Sequence, residues 1–151
     1  MKKNRKIHQF EILADRFKSV YQVLSEHTLV RFEEIYAAKI HFVDPHTDIS
    51  GIEHVRRKIK HNIQNFRQCR FDFDEGFWQR ENCILITWDV HITHPLLNWG
   101  RSFHFPGVSK LIVENEKIIF HQDIYDVGES LYQWVPFVRW FYLYYRNRVR
   151  Q

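Results

Sequence analysis

The sequence predicts an α+β domain in which N-terminal helices pack on a strongly curved antiparallel sheet. Near Cys69 the apolar spacing changes from the helical period of about 3.6 residues to the strand period of 2. Apart from one short early strand, the helical patterns come first and the strand patterns follow, an order that argues against all-helical and doubly wound folds. The chain has 151 residues, of which 44% are apolar and 17% aromatic. That is enough for one packed core, with large rings to fill a concave interior. No repeat, low-complexity tract or Gly/Ser/Pro-rich linker divides it, so residues 1–151 read as a single domain that ends in an aromatic, basic tail over 131–151.

Taken in order, Phe10, Leu13, Phe17, Val20, Tyr21 and Leu24 recur at helical spacing and predict a helix over Ile7–Ser25. A short second helix, about Leu29–Tyr36, buries Leu29, Phe32, Ile35 and Tyr36. Lys39–Val43 is strand-like and is stopped by Asp44-Pro45, because proline restricts the residue before it and cannot donate to a ladder. Ser50-Gly51 introduces a third helix to about Phe66, with Ile52, Val55, Ile59 and Ile63 on one face. Arg70–Asp74 then alternates, with Phe71 and Phe73 on one side. After a turn near Glu81-Asn82, Cys83–Thr93 alternates over a longer run. It sets Ile84, Ile86, Trp88, Val90 and Ile92 against Leu85, Thr87, Asp89, His91 and Thr93. Gly100–Val113 is a third strand pattern, interrupted at Pro106-Gly107, where a bulge is expected. Glu114-Asn115-Glu116 is a turn, and Lys117–Tyr125 completes an antiparallel meander.

The net charge of +4 is concentrated at the two ends. Such ends are more often solvated than bound to nucleic acid, so no nucleic-acid partner is expected. Met1–Lys6 is basic but leads into an amphipathic stretch, unlike a secretory signal, and no apolar run reaches the ~20 residues that span a bilayer. Cys69 and Cys83 lie at unequal distances from the predicted turn and read as free thiols, which makes a reducing, cytoplasmic setting the expectation. There is no glycine-rich phosphate loop, serine elbow or nucleotide fingerprint. Histidines are numerous but poorly spaced for metal: His91 and His94 fall on opposite strand faces, and His54 and His61 are two helical turns apart. Neither metal nor cofactor is expected.

Candidate chemistry gathers at a few positions. His121, Asp123 and Tyr125 share one face of the last strand. A carboxylate beside an imidazole fixes its tautomer and suits general acid–base work, and the same trio can equally serve as a satisfied buried network. Asp44 ends a strand at a rim or pocket floor, where it is either a base against apolar walls or the start of an Asp-Pro turn. Asp89 and His91 share a face with Thr87: they are either a second polar pair in the cavity or, the preferred reading, turned to water or a dimer interface opposite the Trp88 set.

Several strings, in this order, resemble the SnoaL-like branch of the nuclear transport factor 2-like superfamily. They are Ile35-Tyr36-Ala37 leading into Phe42-Val43-Asp44-Pro45, then Ser50-Gly51-Ile52-Glu53-His54-Val55. Gly107-Val108-Ser109 follows, then Glu116-Lys117-Ile118-Ile119 and His121-Gln122-Asp123-Ile124-Tyr125-Asp126. The resemblance covers almost the whole chain and implies a cone-shaped fold around a pocket. It implies Asp44 at the position of the proton-shuttling base of ketosteroid isomerases and Tyr21 near that of their oxyanion-binding tyrosine. Asp123 matches a carboxylate used in limonene epoxide hydrolases and polyketide cyclases. The second acid of the isomerases falls near His104 or Phe105, where no carboxylate stands. An arginine-x-aspartate pair like that of the hydrolases is missing from the Trp88–His91 strand.

Together these readings lead to a small-molecule pocket protein. As an enzyme it would perform cofactor-free proton chemistry (isomerisation, cyclisation, dehydration or hydrolysis) on a small apolar molecule. Asp44, His121 and Asp123 would be catalytic, and Tyr21, Trp88, His104 and Tyr125 would bind the ligand. The alternative is a non-catalytic ligand- or partner-binding protein. Superfamily habit implies a homodimer through the sheet. The tail, with Leu131, Trp134, Trp140, Tyr144, Tyr145 and several arginines, is expected to fold over the open end of the cone or into the dimer seam in preference to meeting a membrane surface.

Overall fold

A computed structural model describes residues 2–130, 132, 135 and 137–149, with no account of the side chains of 2–7 and 129. It contains α1 (Lys2–Tyr21), α2 (Glu26–Leu29), α3 (Phe32–Ile35), β1 (Tyr36–Asp44), β2 (Thr47–Ser50) and α4 (Ile52–Asn65). These are followed by β3 (Gln68–Phe73), β4 (Trp78–Arg80), β5 (Cys83–Thr93), β6 (Ser102–Glu114), β7 (Lys117–Ile124), α5 (Val127–Ser130) and α6 (Val138–Val149). Leu131, Trp134, Pro136 and Arg150 of the expected tail lie outside the described residues. The strands form one curved sheet in the order β2-β1-β7-β6-β5-β3, with β4 beside the start of β5.

The first helix ends at Tyr21, four residues before the predicted Ser25, because the residues that follow have other partners. Val23 bridges to Arg70, and the Gln22 carbonyl accepts from Phe71 N. Ser25 caps α2 in a reciprocal pair with Thr28, each side chain bonded to the other's backbone N–H. The expected second helix is two single turns. Its last residue, Tyr36, is drawn into β1 opposite Ile118. Asp44-Pro45-His46 turns the chain back into β2, which pairs with β1 from Asp44↔Thr47 to His41↔Ser50. That strand was not anticipated, since four residues are too few to show a period.

Within the meander, β5–β6 and β6–β7 are antiparallel as expected, and Asn115 and Glu116, both at positive φ, make the two-residue hairpin turn. Two details differ. β1 joins β7 in parallel, so the sheet is mixed at that seam. Pro106-Gly107 makes no bulge: the β5–β6 register runs unbroken through Asp89↔Pro106 and Trp88↔Gly107. Pro106 lies past the last β7 partner, Val108↔Ile124. There β6 has an open edge, and a missing N–H costs no ladder bond.

Helices α1 to α4 cover one face of the sheet. Leu13, Phe17, Val20 and Tyr21 of α1, Phe32 and Ile35 of α3, and Val55 and Ile59 of α4 are buried against Ile40, Ile84, Ile86, Leu111 and Ile118. A second cluster, Trp88, Val90, Ile92, Phe103 and Phe105, lines the other end of the same concave face. Between the two clusters lies the cavity.

Candidate functional site

The cavity, about 300 Å³, opens between α4 and the inner face of the sheet. Alternation along each strand decides what enters it. Asp44 shares parity with the buried Ile40 and Phe42, and Asp123 and Tyr125 share parity with His121. The walls are rings and aliphatic groups: Phe42, Phe66, Phe71, Trp88 and Phe105, with Ile59, Ile63 and Leu97. The polar groups are few: Asp44, His46, Lys58, Asn62, His94, Asp123 and Tyr125. An apolar hollow with a small number of polar groups is the usual form of a small-molecule site.

Behind Asp123 runs a continuous hydrogen-bonded chain. Tyr21 Oη is 2.7 Å from Tyr36 Oη, Tyr36 Oη is 2.6 Å from His121 Nδ1, and His121 Nε2 is 2.8 Å from Asp123 Oδ1. Ser109 Oγ also donates to Asp123 Oδ1 at 2.5 Å, and Trp88 Nε1 donates to Ser109 Oγ at 2.9 Å. The indole N–H can only donate, so it sets the direction. Ser109 accepts from Trp88 and spends its own proton on Asp123. Asp123 Oδ1 therefore accepts from both Ser109 and His121 Nε2. With a neutral imidazole, Nδ1 accepts from Tyr36, and Tyr36 accepts from Tyr21. Asp123 Oδ2 has no protein partner among the described residues, and its side chain retains 16% exposure, on the cavity side.

The predicted residues thus separate by role. Asp123, Tyr125, Trp88 and Asp44 line the cavity. Asp44 is not bonded to the His121–Asp123 pair; its Oδ1 accepts from the His46 backbone N at 2.7 Å, which makes it a turn residue as well as a wall. His121 is wholly buried, packed edge-on to Phe17 and Phe42. It does not line the cavity and meets it through Asp123, an arrangement in which the imidazole orients the carboxylate. Tyr21, also expected to bind the ligand, lines the cavity, and its hydroxyl lies 2.7 Å from that of Tyr36. His104 is on the wrong face: Phe103 and Phe105 point inward, and His104 bonds Asp89 at 3.1 Å on the outer surface. Asp89 and His91 do face outward, along an open groove with Asp72 and Asp74.

Burial raises the hydroxyl pKa of Tyr21, Tyr36 and Tyr125 above the ordinary phenol range. For Tyr125 the charges of Asp44 and Asp123 add to this. Burial also pushes the Cys69 thiol up to about 12, which leaves it a poor nucleophile. Among the described residues, no group of three or more His, Cys, Asp or Glu side chains is arranged to hold a metal ion.

Four participants were missed. Tyr36 had been counted as helical, which hid its strand parity with Ile40. Ser109 is one alternation from Leu111 on the inward face of β6, a parity obscured by the expected bulge. Lys58 and Asn62 flank Ile59 and Ile63 on α4, one position off the apolar stripe, and that offset is where a rim residue belongs.

The sequence matches the SnoaL-like domain family over residues 17–121, more than half of the chain. No curated protein matches it significantly. Among solved structures, it is similar to a nuclear transport factor 2-like protein of unknown function from Burkholderia pseudomallei. The TM-score is 0.69 at 17% identity, covering 82% of this chain and 97% of that one. It is also similar to a protein of ketosteroid isomerase-like fold from Catenulispora acidiphila, in complex with trimethylamine. Here the TM-score is 0.69 at 15% identity, covering 85% and 95%. TerC co-crystallised with polyporic acid gives a TM-score of 0.66 at 12% identity, covering 78% and 93%.

Proposed function

The chain belongs to the SnoaL-like domain family, and from that premise we propose that its cone binds a small, largely apolar carbonyl compound and performs proton chemistry on it, with Asp123 as the base. The observation that carries this reading is the orientation of Asp123. One oxygen is held by His121 and Ser109 inside the wall, while the other is left to the cavity. A carboxylate fixed in this way is pre-oriented to take a proton from a carbon next to a carbonyl. Tyr125, which lines the same cavity, supplies the O–H for the oxyanion that forms. Two of the similar structures hold small organic molecules by their own descriptions, which supports a ligand-holding cone.

The test is exchange of α-hydrogens for deuterium in apolar ketones such as 2-tetralone, followed by NMR, with thermal shift reporting binding in parallel. Wild type is expected to accelerate exchange, and Asp123→Asn to lower the rate by about 10²-fold or more while keeping its melting temperature within a few degrees. Ligand binding by wild type without any exchange would replace the enzyme with a binding protein.

A further inference from the structure

Helix α6 turns its apolar arc away from the body of the protein. At about 100° per residue, Trp140, Phe141, Tyr144 and Tyr145 fall on one side. All four are exposed, from 54% at Tyr144 to 72% at Tyr145, and none lines the cavity. Among the described residues, α6 therefore contributes no ring to the cavity wall. On the opposite side Tyr142 is the anchor: its ring occupies the space in front of Gly128, where a Cβ would lie 2.4 Å from Tyr142 Cε2. A helix packed on a soluble domain ordinarily has the reverse arrangement, apolar residues inward and polar residues out.

Two features of α6 identify what would cover this arc. The rings are mostly Trp and Tyr, whose amphipathic edges suit the headgroup level of a bilayer better than a dry protein core. The segment from Ser130 to Gln151 carries Arg139, Arg146, Arg148 and Arg150 and no Asp or Glu. A second copy docked helix to helix would set arginine against arginine, whereas an anionic surface complements them. Arg148 already lies in the apolar arc, its guanidinium over the Tyr144 ring at 5.6 Å. The helix is about 18 Å long, well short of the ~30 Å hydrocarbon core. No described helix is long and apolar enough to cross a membrane.

We propose that α6 is an in-plane anchor that lays Trp140, Phe141, Tyr144 and Tyr145 into the headgroup boundary of an anionic bilayer, with Arg148 of the same arc meeting lipid phosphates. The full chain is mixed with phosphatidylcholine vesicles, with and without phosphatidylglycerol, and floated on a density gradient. Size-exclusion chromatography with light scattering is run beside it. Wild type is expected to float with the anionic vesicles, more weakly with neutral ones, and to release as salt rises. A variant carrying Trp140→Ser, Phe141→Ser, Tyr144→Ser and Tyr145→Ser should lose about tenfold or more of that partitioning while keeping the wild-type circular dichroism and melting temperature. A second variant, Arg148→Gln, keeps the fold question separate and should weaken only the anionic preference. The idea is overturned if wild type stays with the soluble fraction or if the four-fold variant floats as well as wild type. It is equally overturned if wild type is a dimer that the aromatic substitutions dissociate, for then a second copy covers the arc.

Discussion

At Asp123 the buried network and the open cavity share one side chain. Behind it, the Trp88 indole fixes the direction of the Ser109 arm and the imidazole tautomer that of the tyrosine arm; in front of it lies a mostly apolar wall with a few polar groups. Tyr36 bears the greatest load in that line, since it bonds both Tyr21 and His121. Tyr36→Phe keeps the ring and leaves two buried polar atoms without a partner. A loss of about 1–3 kcal/mol in urea unfolding is expected, together with a larger fractional drop in ligand binding or exchange than in fold content. If stability is unchanged, the chain of bonds is not holding the strands together. The alternation of β7 was legible in the sequence, and so was the shared face of His121, Asp123 and Tyr125. Depth was not. Period 2 tells which face a residue takes, and only the packing of Phe17 and Phe42 over His121 decides that the imidazole is sealed from the cavity.

Among the elements, β6 shows how a local signal was misread. Pro106-Gly107 looks like an interruption, yet the glycine is there for the neighbouring strand's indole. A Cβ on Gly107 would lie 2.1 Å from Trp88 Cη2, so the ring rests directly on the backbone of β6 and from there reaches Ser109. Gly107→Ala is expected to displace the indole, break its bond to Ser109 and cost about 1–3 kcal/mol. Loss of the near-ultraviolet circular dichroism of Trp88 is the accompanying sign. An unperturbed spectrum would mean that the strand moves instead of the ring. The same element explains His104, whose outward parity would have been evident had the register been read straight through the proline. Cys83–Thr93, long and strictly alternating, matched its predicted span; β2 and the end of α1 did not, because a β-bridge, a cap and a hairpin turn override periodicity over a few residues.

For the molecule as a whole, the burial of three phenols links the fold to pH. Tyr21, Tyr36 and Tyr125 ionise later in the folded chain than the ordinary 10.0. Above that pH the unfolded chain sheds protons that the folded chain retains. The stability they contribute is therefore complete below about pH 10 and falls as pH rises beyond it. Absorbance near 295 nm should show these tyrosines titrating only with unfolding, and a normal single titration of all tyrosines in folded protein would refute their burial. The architecture itself was legible from the order of helical and strand periods. The cavity was not, because it arises where seven elements fail to close on one another. Nor was the direction in which α6 faces, which depends on a single ring resting on Gly128.

The parallel seam between β1 and β7 also sets a timetable for synthesis. Tyr36 leaves the ribosome early, but Ile118, its partner, is translated on the order of ten seconds later at ordinary elongation rates. Until then β1 has β2 on one edge and nothing on the other, and the core of Phe32, Ile35, Ile40 and Phe42 lacks its Ile118 side. Nascent chains stalled before β7 should consequently stay protease-sensitive along their whole length and recruit chaperones, and resistance should arrive in one step once His121 can reach Tyr36.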